Sequence, residues 1–294
     1  MLVLVGTITV PATNSFTLAT ALTAAAKGDA EAQYFLAKQY CKGTELPQNY
    51  PKAVEYFRKA AEQGHAFAQN DLAACYAKGW GVETNYEEAA RWYRKAAEQG
   101  DPLAQYSMGR IHFLGRGVPK NMPEAMRWYK KAAEQNQPDA LQALGDIYLN
   151  GREGVKIDFA EAFKWCEKAV EQGCVGPLNS LGYMYEQGYA VARNPEMAVK
   201  CYRQAAERGD GRGQMNLGRM YQDGFGLPKD LVEAYVWFSV AIRNGEGTAR
   251  HYLEQLEDDE TLTPQEIRNA RTRADEIQER WEASNAKAES RQTK

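Results

Sequence analysis

The sequence predicts an all-α solenoid, in which pairs of helices stack one after another along the chain. A segment of the form Lys-Ala-Ala-Glu-Gln-Gly recurs at a step of 36 residues, with a single step of 37. A regular step of this length is typical of stacked helical repeats and not of one globular core. Six glycines and one asparagine end these segments, at Gly28, Gly64, Gly100, Asn136, Gly173, Gly209 and Gly245.

Residues 66–101 illustrate a single repeat. An apolar stripe at helical spacing predicts a first helix, and Gly79 and Gly81 then predict a tight turn. Asn85 is placed to cap a second helix through its side-chain oxygen, and a second apolar stripe follows before the segment ends. The two stripes consist of Ala68, Leu72, Ala73 and Tyr76, and of Ala89, Trp92, Tyr93, Ala96 and Ala97.

The other repeats hold the same roles at the same positions. Glu124, Glu161 and Glu233 each follow a predicted cap by three residues, a spacing that predicts a reciprocal capping box. The one inserted residue is placed in the turn at residues 151–154, where an extra residue bulges without disturbing a helix. The predicted caps of the second helices are Asn49, Asn85, Asn121, Asp158, Asn194 and Asp230.

Both ends of the array have recognisable boundaries. Residues 1–16 form an apolar leader, interpreted as strand-like or loose; a signal peptide is the alternative, although the first basic residue is Lys27. Residues 17–246 are predicted to hold half a repeat and six full repeats. Residues 247–286 are predicted capping helices, with Thr263 as N-cap, Pro264 as the first helical residue and Glu266 at the third position. Residues 287–294 are a polar tail.

This pattern resembles the SEL-1-like repeat family, a branch of the tetratricopeptide-like helical repeats, over about residues 17–246. The resemblance implies a right-handed α-solenoid of antiparallel helix pairs that serves as an adaptor, since family members assemble signalling, secretion, envelope and protein-quality-control complexes. The resemblance is specific evidence for the fold but weak evidence for the function. The matching residues are Leu72-Ala73-x-x-Tyr76, Gly79-x-Gly81-Val82 and Ala89-x-x-Trp92-Tyr93-x-Lys95-Ala96-Ala97-Glu98-Gln99-Gly100.

Composition excludes several classes of protein. Lys and Arg number 36 against 39 Asp and Glu, a net charge of −3, so no basic excess favours nucleic-acid binding. No apolar run approaches the ~18 residues that a transmembrane helix needs. Five cysteines cannot all pair internally, which favours a reducing compartment such as the cytoplasm. A periplasmic or secreted location is the alternative if the leader is a signal peptide. Pairing of Cys166 with Cys174, and the oligomeric state, stay open.

The sequence holds no motif that predicts catalysis, a metal or a cofactor. It lacks a phosphate-binding loop, a His-Glu-x-x-His motif and a Cys-x-x-Cys motif. His65 is expected to be solvated in a turn between repeats, and His112 is interpreted as a core or groove imidazole. Some disulfide-rich relatives of the resembled family have been linked to β-lactams. Ser284 and Lys287 match Ser-x-x-Lys, but no companion element accompanies them, and the match is interpreted as chance.

A binding groove is predicted along the first helices, whose faces outside the packing stripe are free to contact a partner. The cluster of Tyr106, Arg110 and Phe113 is the strongest part of this groove, because arginine and aromatic residues are enriched in binding hot spots. Asn70, one repeat earlier, is expected to donate to a peptide. The predicted groove residues are Tyr34, Asn70, Tyr106, Arg110, Phe113, Gln142, Asp146, Asn179, Tyr183 and Arg219.

Three functions from different classes compete. The leading hypothesis is a non-catalytic scaffold or adaptor that binds a peptide or protein partner in the groove, with no nucleic acid and no cofactor. The alternative is an immunity or inhibitor protein for a secreted bacterial toxin, which a neighbouring toxin gene would favour. A β-lactam or cell-wall hydrolase is the third hypothesis, and the absence of nitrocefin turnover would remove its β-lactamase form.

Overall fold

The computed structural model describes residues 16–258 and 261–292, which form fifteen α-helices and no strand. Nearly all of the predicted leader, residues 1–15, lies outside the described residues, as do residues 293 and 294. The chain divides into two compact units, residues 1–135 (unit 1) and residues 136–294 (unit 2). No described helix combines the length and the apolar character that a membrane crossing requires.

Unit 1 holds the first seven helices. Within it, α2 packs on α3, α4 on α5 and α6 on α7, and each second helix also packs on the first helix that follows. The helices are α1 (Leu18–Ala26), α2 (Ala30–Lys42), α3 (Tyr50–Glu62), α4 (Ala66–Lys78), α5 (Tyr86–Glu98), α6 (Pro102–Leu114) and α7 (Met122–Glu134).

Unit 2 holds eight helices in the same arrangement, with α8 on α9, α10 on α11, α12 on α13, and two further helices at the end. The predicted all-α solenoid of helix pairs is therefore confirmed. The helices are α8 (Pro138–Asn150), α9 (Phe159–Glu171), α10 (Gly176–Gln187), α11 (Pro195–Glu207), α12 (Gly211–Asp223), α13 (Leu231–Arg243), α14 (Ala249–Asp258) and α15 (Pro264–Gln292).

Small residues let the paired helices approach closely, and large aromatic residues fill the space beside them. Ala68, Ala73 and Ala89 have no exposed surface, and the indole of Trp92 is 5% exposed. The Lys95 ammonium lies over the outer face of that indole, 4.3 Å from the ring centre. A lysine in this position covers apolar surface with its methylene groups and keeps its charge in water.

The six predicted caps of the second helices are confirmed, but the reciprocal capping box is wrong. The Asn121 side chain accepts from the Glu124 backbone N–H at 3.1 Å, as expected. The backbone N–H of Asn121 donates to the His112 carbonyl at 2.9 Å, so it has no need of the glutamate. Glu124 instead binds Arg127 at 2.8 Å. The second-helix N-terminus is thereby tied to the end of the first helix.

The expectation that His65 is solvated is also wrong. His65 is the N-cap of α4, where Nδ1 accepts from the Ala68 N–H at 3.1 Å. Its Nε2 lies 3.0 Å from Glu31 Oε2, and its ring stacks on Tyr34 with 4.7 Å between ring centres. Asp29, Asp101 and Asp210 cap the first helices of other repeats in the same way.

The last helix covers the end of unit 2. α15 packs on α13, where Ala270 and Ala274 are fully buried. Thr263 and Glu266 exchange hydrogen bonds at its start, as the sequence predicts: Thr263 N–H donates to Glu266 Oε2 at 2.7 Å. Helical backbone continues to Gln292 and so includes most of the predicted polar tail.

Candidate binding surface

Two adjoining cavities on unit 2 share Asn179 and Ser180 in their walls. The first, here the polar cavity, has a volume of about 340 Å³, and the second, here the aromatic cavity, about 540 Å³. The polar cavity is lined by Gln142, Asp146, Gly176, Asn179, Ser180, Asp210, Gly211, Arg212, Asn244, Gly245 and Glu246. The aromatic cavity is lined by Leu149, Asn150, Ile157, Phe159, Asn179, Ser180, Tyr183, Tyr189, Tyr202, Asn216 and Arg219.

Carboxylates outnumber cations in the polar cavity. Asp210 is held by Asn179 Nδ2 at 2.6 Å and caps α12 by accepting from the Gly213 N–H at 2.8 Å. Asp146 is half-buried, and burial raises the pKa of its carboxyl, an effect that Arg152 and Arg212 oppose. A carboxylate in this setting favours a ligand that brings a positive charge or hydrogen-bond donors.

The aromatic cavity offers exposed apolar surface. Phe159 and Tyr189 stack with their ring centres 4.1 Å apart, and Tyr183 meets Tyr189 edge-on at 5.7 Å. The Tyr183 residue is 42% exposed and Ile157 is 54% exposed. Aromatic residues that are fixed by each other lose little conformational entropy on binding, which favours their use as contact residues.

Arg219 forms the far wall of the aromatic cavity and already has an internal partner. Its Nη2 donates to Glu186 Oε1 at 2.9 Å, and the Tyr202 hydroxyl donates to Glu186 Oε2 at 2.8 Å. Glu186 is only 8% exposed, so this arginine–glutamate–tyrosine triad supplies both charge and hydrogen bonds to a buried carboxylate. The Nη1 of Arg219 donates to Asn216 Oδ1 at 3.3 Å, and both residues line the cavity.

The predicted groove residues of unit 2 are thus brought together: Gln142, Asp146 and Asn179 line the polar cavity, and Asn179, Tyr183 and Arg219 line the aromatic cavity. Those of unit 1 are not gathered in one cavity. Tyr34 donates to Asp71 at 3.3 Å and stacks on His65, while the ring of Tyr106 carries the Arg110 guanidinium 5.8 Å from its centre.

Two predicted residues of unit 1 lie further from the surface than expected. Phe113 is half-buried. Asn70 is 5% exposed, so the expectation of an open donor needs correction: its Nδ2 lies 3.3 Å from Asp71 Oδ1, inside the helix packing. The helical period places Asn70 at the edge of the buried stripe, and packing against the next helix then covers its side chain.

No described residues form a candidate metal or thiol centre. Among the described residues, no group of three or more His, Cys, Asp and Glu side chains is placed to hold a metal ion. All five cysteines are unpaired thiols, and Cys166 and Cys174 do not cross-link. Burial raises the pKa of the Cys166 thiol to about 12, which keeps it protonated and unreactive.

Comparison with known families decides the class of this repeat. The Sel1 repeat model matches residues 30–65, 66–101, 102–137, 138–174, 178–210 and 211–246, well over half of the chain. The chain belongs to the Sel1 repeat family. Proteins built from Sel1 repeats generally serve as protein-interaction scaffolds, and the fold is typically non-enzymatic.

Solved Sel1 repeat structures resemble this chain closely. An Escherichia coli structure is described as c5321, a protective antigen present in uropathogenic strains that displays an SLR fold; it is 35% identical, with a TM-score of 0.79. That match covers 89% of this chain and 56% of the antigen, so this chain spans little more than half of the antigen's length. A Sel1 repeat protein from Oxalobacter formigenes is 34% identical over 82% of this chain and 96% of its own, with a TM-score of 0.71.

A more distant structure carries no argument about function. The immunity protein Pa5087 from Pseudomonas aeruginosa is 24% identical over 73% of this chain and 81% of its own, with a TM-score of 0.43. The immunity hypothesis therefore stays a prediction. A search of curated proteins finds no significant match.

Sequence reasoning missed Ile157 and Tyr189, although the Sel1 repeat pattern holds a signal for the first of them. Ile157 is 54% exposed and occupies a turn position that is polar in every other repeat. The residues at the equivalent positions are Gln48, Thr84, Lys120, Arg193 and Lys229. An apolar residue in a position that the fold leaves polar marks a candidate contact.

Proposed function

We propose that this Sel1 repeat protein is a non-catalytic scaffold that binds a peptide or protein partner through the first-helix faces, with the polar and aromatic cavities of unit 2 as the main contact. The observation that supports this proposal is the sharing of Asn179 and Ser180 by two cavities of opposite character. A single extended segment thereby finds an acidic, hydrogen-bonding part and an apolar, aromatic part side by side.

The aromatic cavity supplies the larger part of the binding free energy in this proposal. Covering the exposed faces of Ile157 and Tyr183 removes apolar surface from water, which contributes about 25 cal/mol per Å². Aromatic residues at the centre of a contact are the usual hot spots, and their loss typically costs 2 kcal/mol or more of binding, as an order of magnitude. The partner segment therefore carries a bulky apolar side chain.

The polar cavity supplies specificity. Asp146 is half-buried among further carboxylates, and Arg212 is the one basic side chain in the wall. A lysine or arginine next to the apolar residue of the partner segment complements these carboxylates, whereas an acidic residue in that place is repelled by them. The cluster of Tyr106 and Arg110 with Phe113 is a second, separate contact on unit 1.

The test is affinity capture of partners from the native cell, with the full chain as bait and mass spectrometry as readout. The bait is compared with the double variant Ile157→Lys, Tyr183→Ala and with the charge reversal Asp146→Lys. Leu103→Lys is the matched control, because Leu103 is 46% exposed, lies on α6 and lines neither cavity. All baits are first shown to unfold at the same temperature.

A partner that the wild type and Leu103→Lys capture, and that the cavity variants lose, supports the proposal. Its affinity is then measured by calorimetry and is expected to fall by at least about tenfold in each cavity variant. A partner retained by all baits would move the contact away from these cavities. A variant of Tyr106→Ala, Arg110→Glu and Phe113→Ala tests the second contact in the same way.

A further inference from the structure

A small cavity with basic walls lies in unit 1, formed by the α4, α5 and α6 helices. Its volume is about 140 Å³, enough for a carboxyl group and the methylene that carries it. We call it the basic cavity. Its lining residues include Lys78, Tyr93, Ser107, Arg110, Leu114 and Arg116.

Three positive charges face this cavity and no carboxylate lines it. Among the described residues, none of the three cations takes part in an ion pair. Each instead lies over an aromatic ring: Lys78 at 4.2 Å from Trp80, Arg116 at 5.5 Å from Tyr86 and Arg110 at 5.8 Å from Tyr106. A cation–π contact holds a cation in place without neutralising it. The cavity therefore favours an anion.

The same chain shows what occupies this place in another repeat. Three repeats after Ala77, Tyr93 and Arg110, the equivalent residues are Glu186, Tyr202 and Arg219, which form the buried triad of unit 2. The tyrosine and the arginine are present in both repeats, but alanine replaces the glutamate in unit 1. Ala77, Tyr93 and Arg110 all line the basic cavity. The cavity thus lies where the carboxylate of the triad is missing.

Other cations at the position of Arg110 have a carboxylate from within the chain. Lys38 occupies this position two repeats earlier and binds Asp71 at 3.0 Å, and Arg219 binds Glu186 at 2.9 Å. The position also accepts alanine, aspartate and tyrosine, at Ala74, Asp146 and Tyr183. The repeat fold therefore has no need of a cation at Arg110.

We propose that the basic cavity binds the side-chain carboxylate of an acidic residue in a partner protein, held between the Arg110 guanidinium and the Tyr93 hydroxyl. The bound carboxylate takes the place that the Glu186 carboxylate has in unit 2, while Lys78 and Arg116 add positive charge from the rim. An apolar residue beside the acidic one packs on Leu114, which is 44% exposed.

The Tyr93 hydroxyl is suited to this role. Burial raises its pKa to about 12, and its hydrogen bond with Ser107 and the charge of Arg110 oppose that rise. The hydroxyl therefore keeps its proton at neutral pH and is a donor, as the Tyr202 hydroxyl is towards Glu186. A guanidinium and a hydroxyl together match the two oxygens of one carboxylate.

The first test is a titration of the full chain with a capped tripeptide, acetyl-Leu-Glu-Leu-amide, whose only charge is the glutamate side chain. The Nε–Hε resonances of Arg110 and Arg116 are followed by nuclear magnetic resonance. Acetyl-Leu-Gln-Leu-amide is the neutral control, and inorganic phosphate is titrated in parallel. We expect saturable shifts with the glutamate peptide, none with the glutamine peptide, and loss of the response in Arg110→Gln. The matched variant Arg91→Gln, which changes an exposed arginine of α5 outside the cavity, keeps the response.

A second test measures thermal stability, so its result does not depend on how tightly the peptide binds. Ala77→Glu places a carboxylate in the position of Glu186, and Ala77→Gln adds the same volume without charge. We expect Ala77→Glu to unfold at a higher temperature than Ala77→Gln at neutral pH, and the difference to vanish when the glutamate is protonated. We also expect Ala77→Glu to block the tripeptide.

Equal responses to the two peptides, an unchanged response in Arg110→Gln, or a response to phosphate alone would overturn the assignment. Absence of any peptide response together with equal unfolding temperatures for Ala77→Glu and Ala77→Gln would do the same. This inference rests on the proposed interaction role, but the two are separable. The titration involves unit 1 and no natural partner, whereas the capture baits that test the two cavities, Ile157→Lys with Tyr183→Ala and Asp146→Lys, change only residues of unit 2.

Discussion

Arg58 Nη2 donates a hydrogen bond to the Tyr76 hydroxyl over 2.7 Å, from the second helix of one pair to the first helix of the next. Arg203 makes the same contact with Tyr221 at 3.0 Å. One repeat after Arg58 and Tyr76, the equivalent residues are Arg94 and His112. His112 is 8% exposed, and its Nδ1 is buried without a hydrogen-bond partner. The repeat thus has the arginine of this contact without its tyrosine.

Replacing His112 by tyrosine is expected to stabilise the protein, most strongly in acid. Burial lowers the pKa of His112, with Arg94 adding to the effect, so protonation favours the unfolded chain. The wild type therefore loses stability as the pH falls through about 6.5, the ordinary histidine value, whereas His112→Tyr has no such loss. A restored hydrogen bond adds about 1 kcal/mol at any pH.

Urea midpoints at pH 7.5 and pH 5 measure this prediction. The advantage of His112→Tyr over the wild type should be larger at the lower pH. His251→Tyr serves as control, because His251 is exposed on α14. An advantage of the same size at both pH values would show that the histidine is not responsible for acid sensitivity.

Two glycines with positive φ should differ sharply in their tolerance of alanine. Gly100 (φ 96) has no atom within 4 Å of an added Cβ, so Gly100→Ala meets only backbone strain, about 1 kcal/mol. Gly81 (φ 69) packs on the start of α3, where an added Cβ would lie 2.3 Å from the carbonyl carbon of Tyr50. Gly81→Ala must displace backbone and is expected to cost on the order of 3 kcal/mol or more.

Chemical denaturation of both variants compares these costs directly. Equal losses would mean that the turn moves away from α3 without penalty, and that the close approach does not fix how consecutive helix pairs stack.

Gln69 should be more sensitive to alanine than to leucine. Its Nε2 donates to the Ala61 carbonyl at 3.0 Å, and its Oε1 accepts from Gln99 at 2.7 Å, although the residue is 4% exposed. Gln69→Ala removes both bonds and leaves a void, which costs about 2 kcal/mol. Gln69→Leu fills the volume with the residue that equivalent repeats carry at Leu141 and Leu178. Thermal unfolding of the two variants should rank leucine above alanine. Equal unfolding temperatures would assign the contribution of Gln69 to its hydrogen bonds alone, and the reverse order would show that leucine does not fit this position.

Asp146→Asn should raise the stability of the protein at neutral pH. Burial holds the pKa of Asp146 above its ordinary value, so ionisation is less favourable in the folded chain, and stability falls as the pH rises through the range in which it ionises. The amide has no charge to bury. We expect the melting temperature at pH 7 to rise by about 1–3 °C, a shift that small changes produce in a chain of this size.

Calorimetry at pH 7 and pH 3 checks the sign. The difference between Asp146→Asn and the wild type should disappear at pH 3, where the wild-type carboxyl is protonated. Asp223→Asn, at an exposed position of α12, should change neither value. A lower melting temperature for Asp146→Asn would mean that the carboxylate stabilises the fold, and would weaken its assignment to partner binding.

The sequence alone determined the repeat, the helix boundaries and the turns of this protein. Asn85 caps α5 and Gly79 ends α4 in the left-handed conformation because both features depend only on residues a few positions away. Because these local signals recur every 36 residues, only a stacked array of helix pairs is compatible with the sequence. The sequence also predicted that Asp146, Asn179 and Tyr183 share one face, because the helical period determines which side of a first helix each residue occupies.

Tertiary structure alone decided which residues of different helices meet. His65 is a cap and not a solvated side chain because α4 begins against Tyr34 and Glu31 of an earlier helix. Asn70 is covered, and Arg110 comes to face Tyr93 and Ala77, only once neighbouring helices are packed. Sequence spacing determines the angular position of each residue around one helix axis. Burial, ion pairing and cavities depend instead on the distances between helices. Those distances are set by the side chains packed between the helices.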